Sequence, residues 1–239
     1  MTTTSLHLRI KIFADGADKA QIIRAHSNPL IRGFTTNPTL MSAAGVRDYE
    51  AFAREILDAI KDRPISFEVF ADEFREMERQ ARKIADWAQN VFVKIPVTNT
   101  RGESSMELVS ALSQSGVKVN VTAILTLDQV RRSVAVLTGG APSLVSVFAG
   151  RIADTGRDPM PIMAEAAEIL SAHSNIELIW ASPRELLNIF QADDTGCDII
   201  TVPDAVLGKL HLIGKELTEF SLETVSMFYN DARKSGYQL

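Results

Sequence analysis

Val91-Phe92-Val93-Lys94-Ile95-Pro96-Val97-Thr98 is a short apolar run, rich in β-branched residues and interrupted once by a lysine. Its length and composition read as a buried strand, so the lysine inside it is desolvated along with its neighbours. Burial disfavours the charged form of a lysine, and the neutral amine is a nucleophile toward carbonyls. The bland alternative is a side chain that snorkels its head out at the strand end. Seven further short apolar runs surround this one: Leu8 to Phe13, Arg32 to Thr35, Ile65 to Val69, Val117 to Thr122, Leu144 to Phe148, Ile176 to Trp180 and Cys197 to Thr201. They alternate with helical stretches at 17–25, 49–60, 71–88, 105–115, 127–137, 161–171, 184–191 and 205–210. This rhythm is that of repeated βα units, and eight of each predict a closed (β/α)8 TIM barrel of the α/β class. An open doubly wound sheet is the alternative, but no GxGxxG follows a strand and no GxxxxGKS loop is present.

One more helix, roughly Leu222 to Lys234, falls outside the eight units and is expected to dock on the barrel or on another subunit. Its Met227 and Phe228 need cover, which predicts a homo-oligomer. No repeat beyond the βα rhythm, low-complexity tract or linker interrupts the chain, so a single domain over 1–239 is expected.

Composition narrows the function. The chain has 239 residues, is 46% hydrophobic and 23% charged, and carries a net charge of −5. Its 25 Lys and Arg residues are interspersed with acids rather than gathered in a basic stripe, which predicts no nucleic-acid partner. An anionic small substrate stays open, because it needs only two or three local cations. Cys197 is the one cysteine, so no intrachain disulfide or cysteine metal cluster is expected, and its apolar surroundings read as a small buried filler. Met1-Thr2-Thr3-Thr4-Ser5 lacks the basic and apolar regions of a signal peptide, and no apolar run approaches the length of a membrane span. A cytoplasmic protein without a membrane partner is the expectation.

A barrel of this kind builds its active site at the carboxyl ends of its strands. The polar residues at those ends are Asp15, Thr35-Thr36-Asn37-Pro38, Glu68, Lys94, Asn120 and Thr122, Ser146 and Arg151, and Ser182 and Arg184. Together they supply an amine, acid and base groups, hydroxyls suited to holding water, and guanidinium forks suited to phosphate. That is the equipment of a Schiff-base aldol enzyme. Each also has a bland reading. Asp15 before Gly16 could be a turn or a helix cap, Asn37-Pro38 is an ordinary turn signal, Glu68 could face solvent, and the arginines could be surface ion pairs.

Phe13-Ala14-Asp15-Gly16, Gly33-Phe34-Thr35-Thr36-Asn37-Pro38, Val93-Lys94-Ile95-Pro96-Val97-Thr98, Asn120-Val121-Thr122, Ser146-Val147-Phe148-Ala149-Gly150-Arg151 and Ala181-Ser182-Pro183-Arg184 resemble the transaldolase signatures, in the transaldolase order. The length resembles the short subfamily, which also contains fructose 6-phosphate aldolases. The resemblance implies a (β/α)8 barrel, no metal and no organic cofactor, sugar-phosphate substrates, and a place in the pentose phosphate pathway. It implies that Lys94 forms a Schiff base with the donor ketose, that Asp15 takes the C4 hydroxyl proton, and that Glu68, Thr122 and a water shuttle protons. Thr36, Asn37, Asn120, Ser146 and Phe148 would line the donor pocket, and Arg151, Ser182 and Arg184 would bind phosphate.

The aldolase branch typically carries glutamine where Glu68 stands and tyrosine where Phe148 stands, so both positions favour transfer. A fructose 6-phosphate aldolase and a catalytically silent sugar-phosphate binding protein remain the alternatives. Three stretches depart from the family's usual pattern: Pro183 replaces phenylalanine, Val147 replaces proline, and Ala14 and Gly16 replace the leucine and threonine around Asp15. The first two touch the phosphate side and leave the physiological sugars open, a sulfonated or otherwise modified sugar included.

Overall fold

The computed structural model describes residues 8–238; Met1–Ser5, on which the expectation of no signal peptide rests, lies outside them. Eight strands form a closed barrel in chain order: β1 (Lys11–Asp15), β2 (Ile31–Thr35), β3 (Ile65–Glu68), β4 (Val91–Pro96), β5 (Val119–Ile124), β6 (Ser143–Val147), β7 (Ile176–Trp180) and β8 (Ile199–Pro203). All pairings are parallel, and β1 closes the ring against β8. This is the (β/α)8 architecture that the alternating runs predict. The helices are α1 (Lys19–His26), α2 (Pro38–Ala43), α3 (Tyr49–Ala59), α4 (Phe74–Ala85), α5 (Met106–Gln114), α6 (Leu127–Leu137), α7 (Ala149–Ala153), α8 (Met160–Leu170), α9 (Leu187–Asp194), α10 (Asp204–Leu207) and α11 (Leu217–Ser235). The described residues form two compact units, 8–207 and 208–238. In the second, α11 exposes Leu217, Phe220, Leu222, Val225, Met227, Phe228 and Tyr229. No helix among the described residues is long and apolar enough to cross a membrane.

Local chemistry starts several of the helices. Asp18, Asn37 and Asp48 cap α1, α2 and α3 through side-chain oxygens, and Thr126 with Gln129 makes a reciprocal capping box on α6. Each such cap stabilises its helix by about 1 kcal/mol. Because Asp18 caps α1, Asp15 is not a cap.

Three of the predicted strands slide along the chain. β1, β5 and β8 each sit two or three residues beyond the apolar runs that mark them, and β1 meets β8 with Asp15 opposite Pro203. Ring closure sets that register, and closure pairs the first strand with the last. The short α2 and α7 are absent from the sequence expectation, because six and five residues are too few to display helical periodicity.

Alternation along β4 directs its residues. Val91, Val93 and Ile95 are buried on the helix side, whereas Phe92 and Lys94 share the interior face. Register then sets Glu68 beside Lys94 and Lys94 beside Asn120, so three polar side chains share one interior level. Beneath them Phe13, Leu144, Ile179 and Ile199, with Phe92 packed against them, plug the barrel. Gly33 makes room for this plug, since a Cβ there would lie 2.5 Å from the Phe13 ring.

Candidate active site

The carboxyl ends of the strands open into a cavity of about 400 Å³. Asp15, Asn37, Glu68, Lys94, Thr122, Ser146, Phe148, Arg151 and Ser182 line it, joined by Thr35, Ala123 and Thr201, among others. Thr36, Asn120 and Arg184 are not part of its wall. Lys94 sits at the bottom, 6% exposed. Its Nζ lies 3.1 Å from Glu68 Oε2 and donates to the Thr36 carbonyl at 3.0 Å. The amine is thus both buried and paired with a carboxylate, a pairing that the sequence did not reveal.

Across the cavity Asp15 accepts a hydrogen bond from the Thr35 hydroxyl at 2.7 Å, and Thr35 in turn pairs with the Thr201 hydroxyl. Burial pushes the Asp15 carboxyl above the ordinary aspartate range. The Lys94 ammonium and the Thr35 bond only partly offset this, and the Glu68 charge reinforces it. A carboxyl so placed binds a proton more readily than a solvated one does, as a base requires.

The amide of Asn120 is fully buried, with both ends engaged: Nδ2 donates to Ser66 Oγ at 3.1 Å, and Oδ1 accepts from Ser146 Oγ at 2.7 Å. It stands behind the wall and orients Ser146. Thr36 contributes its backbone carbonyl to Lys94, while its hydroxyl donates to the Ser66 carbonyl. Asn37 Oδ1 caps α2 through Leu40 N at 2.9 Å, so Asn37 is both a turn residue and part of the wall. The buried hydroxyl of Thr122 has no hydrogen-bond partner among the described residues and is free to engage a ligand or water.

Arg151 lines the cavity directly. Arg184 is half exposed and forks onto Asp154, with Nε to Oδ1 at 3.0 Å. That pairing, with Arg151 nearby, holds the Asp154 carboxyl below its ordinary range. Two residues of the rim adopt the left-handed backbone that non-glycine side chains seldom take: Ala123 at φ 62° and Ser182 at φ 59°. Ala123 falls where the β5–β6 register shifts, a bulge at the cavity edge. Ser182 is held by Gly150, where any Cβ would come within 1.5 Å of the Ser182 carbonyl oxygen.

The sequence reading named Thr35 as a strand-end residue without giving it a role, and missed Ser66 and Thr201 as members of the site. Thr201 closes the eighth apolar run, Cys197 to Thr201, so the rule that found the others also points to it. Ser66 carries no signal, because its part depends on the cross-barrel contact with Asn120. Cys197 is buried between β7 and β8, and burial pushes its thiol up, as befits an inert filler.

The family model described as transaldolase/fructose-6-phosphate aldolase matches residues 12–239. A probable transaldolase of Methanococcus maripaludis strain C7 is 38% identical over 202 residues, covering 84% of this chain and 89% of that protein. One from Thermoanaerobacter sp. strain X514 is 34% identical over 231 residues, covering 96% of this chain and 100% of that protein. Among solved structures, 2,3-dimethylmalate lyase, a PEP mutase/isocitrate lyase superfamily member, superposes with a TM-score of 0.55 at 12% identity, covering 95% of this chain and 84% of that one. That similarity concerns the fold alone.

Proposed function

Since the chain belongs to the transaldolase/fructose-6-phosphate aldolase family, we propose that it moves a dihydroxyacetone unit from a ketose phosphate, such as fructose 6-phosphate or sedoheptulose 7-phosphate, to an aldose phosphate. The observation that carries this reading is one cavity holding a buried amine, a carboxylate 3.1 Å from it and a second, proton-avid carboxyl. Lys94 attacks the ketose carbonyl and forms a carbinolamine. Glu68, with the open hydroxyl of Thr122 and a water, carries the protons that convert it to an iminium. The iminium is the electron sink: Asp15 takes the C4 hydroxyl proton, the C3–C4 bond breaks, the aldose phosphate leaves, and an enamine remains on Lys94. An incoming aldehyde reverses these steps. Ser146 and Asn37 face the donor, with Asn120 and Thr36 acting through Ser146 and Lys94. A pentose phosphate role in the cytoplasm, with self-association through the exposed apolar residues of α11, belongs to the same proposal.

Release of glyceraldehyde 3-phosphate from fructose 6-phosphate, followed with and without erythrose 4-phosphate, is the test. Release that depends on the acceptor supports transfer, whereas equal release without it identifies an aldolase.

Phe148 bears on that distinction. It lines the cavity with a ring that has no proton to give, so the enamine waits for an aldehyde. Phe148→Tyr is expected to raise acceptor-independent release by about tenfold or more, because a phenol there can protonate the enamine. No rise in that rate would remove Phe148 from the account.

Arg151 is the guanidinium already facing the cavity. Arg151→Ala is expected to raise KM for phosphorylated substrates on the order of 10- to 100-fold, the worth of a charge-assisted pair, with a smaller change in kcat. An equal effect on an unphosphorylated acceptor would argue that Arg151 does not read phosphate.

A further inference from the structure

Strand β2 stops short of the level at which Glu68 works. Its pairing with β3 ends at Thr35 opposite Ser66, the last backbone bond running from Thr36 N to the Ser66 carbonyl. There the chain turns at Asn37-Pro38 into α2. In a strand, the N–H and C=O of one residue point to the same side, so Val69 and Phe67 look toward β4, and Val69 N indeed bonds to the Lys94 carbonyl. Glu68 looks the other way, into the gap that β2 has vacated. A single hydroxyl fills it. Tyr49 Oη, from the first turn of α3, accepts from Glu68 N at 2.8 Å and donates to the Glu68 carbonyl at 2.8 Å.

The phenol that does this is itself fixed. Its ring packs edge-on against Phe67 at 6.4 Å and Phe70 at 5.4 Å, and tilted against Trp87 at 6.0 Å. Burial pushes its hydroxyl well above the ordinary phenol range, so it keeps the proton that it donates. Without the hydroxyl, one part-buried donor and one part-buried acceptor on Glu68 lose their partners together, and the strand end is free to shift.

We propose that Tyr49 is a positioning residue for the proton shuttle, standing in for the missing residue of β2 and holding Glu68 in register with Lys94. This rests on the reading of Glu68 as the carboxylate that dehydrates the carbinolamine, and it assigns to α3 a part in that step. A displacement on the ångström scale at a proton-transfer group costs rate rather than affinity.

The test compares Tyr49→Phe, Glu68→Gln and the double variant in the full chain. Tyr49→Phe is expected to lower kcat about tenfold or more with KM nearly unchanged, and to slow formation of the borohydride-trapped adduct at Lys94 by a similar factor. In the Glu68→Gln background the same substitution is expected to cost under half as much, because the two act through one group. Full additivity, or a wild-type kcat in a folded Tyr49→Phe protein, would overturn the inference while leaving the function of Glu68 intact. Unchanged activity in Glu68→Gln would instead overturn the shuttle and the inference with it. Should Tyr49→Phe fail to fold, hydrogen exchange in the wild type decides: the Glu68 amide is expected to be as protected as that of Val69, and fast exchange at Glu68 overturns the role.

Discussion

Lys94→Met is expected to abolish transfer, lowering kcat by about four orders of magnitude or more, and to remove the adduct that borohydride traps in the presence of fructose 6-phosphate. Methionine keeps an unbranched stem of similar length in the β4 interior position, so the plug of Phe13, Phe92, Leu144 and Ile179 beneath it is undisturbed. What disappears is the only amine among the described residues that line the cavity, the rest being carboxylates, hydroxyls, the Asn37 amide, apolar side chains and Arg151. Circular dichroism establishes that the variant is folded, and mass spectrometry after borohydride reads the adduct. Full transfer by a folded Lys94→Met protein would rule out Schiff-base chemistry at this site. Binding of the sugar phosphate should persist, because Arg151 on α7 and Ser182 beyond β7 are untouched.

Asp15→Asn is expected to cost about 10²- to 10⁴-fold in kcat, the usual worth of a positioned base, while leaving the Lys94 adduct trappable. The amide retains an acceptor for the Thr35 hydroxyl, so the geometry at the end of β1 survives. Only the ability to take a proton is lost. A variant that traps the adduct but does not release aldehyde separates cleavage from Schiff-base formation. Loss of both at once would place Asp15 earlier in the sequence.

The same residue gives a pH dependence of defined sign. Burial raises the Asp15 carboxyl above the ordinary aspartate range. The acid limb of kcat/KM should therefore lie above the pH at which a solvated aspartate titrates, about 3.9. For stability, a carboxyl with a raised folded value binds more protons folded than unfolded. Stability thus falls as pH rises from the unfolded value through the folded one, and that cost is fully present above both. Asp15→Asn removes the cost, so its thermal midpoint should exceed that of the wild type near neutral pH, with the gap closing toward about pH 4. A gap that widens on acidification would contradict the burial argument.

The alternation of eight apolar runs with amphipathic stretches was enough for the (β/α)8 barrel, because parallel strands covered by helices are apolar on both faces and leave a continuous signal. Strand ends then pointed to the candidate side chains, since the barrel topology fixes which end carries the site. Lys94 was legible for the plainest reason, a charge in a run that has to be buried. Boundaries were less so: β1, β5 and β8 each lie two or three residues beyond their runs, and for β1 and β8 the register belongs to ring closure and not to either segment.

The tertiary structure alone decided which polar residues meet and what each one holds. That Lys94 has Glu68 at 3.1 Å, that Asn120 spends both ends on Ser66 and Ser146, and that Arg184 faces Asp154 follow from register and rotamer across strands far apart in the chain. Tyr49 is the extreme case. Its sequence neighbourhood is an ordinary helix start, and its role arises only where β2 ends one residue too soon beside Glu68. Hydrophobic pattern is a local property of the chain and survives in the sequence. Hydrogen-bond satisfaction belongs to pairs of residues and exists only once the barrel has closed.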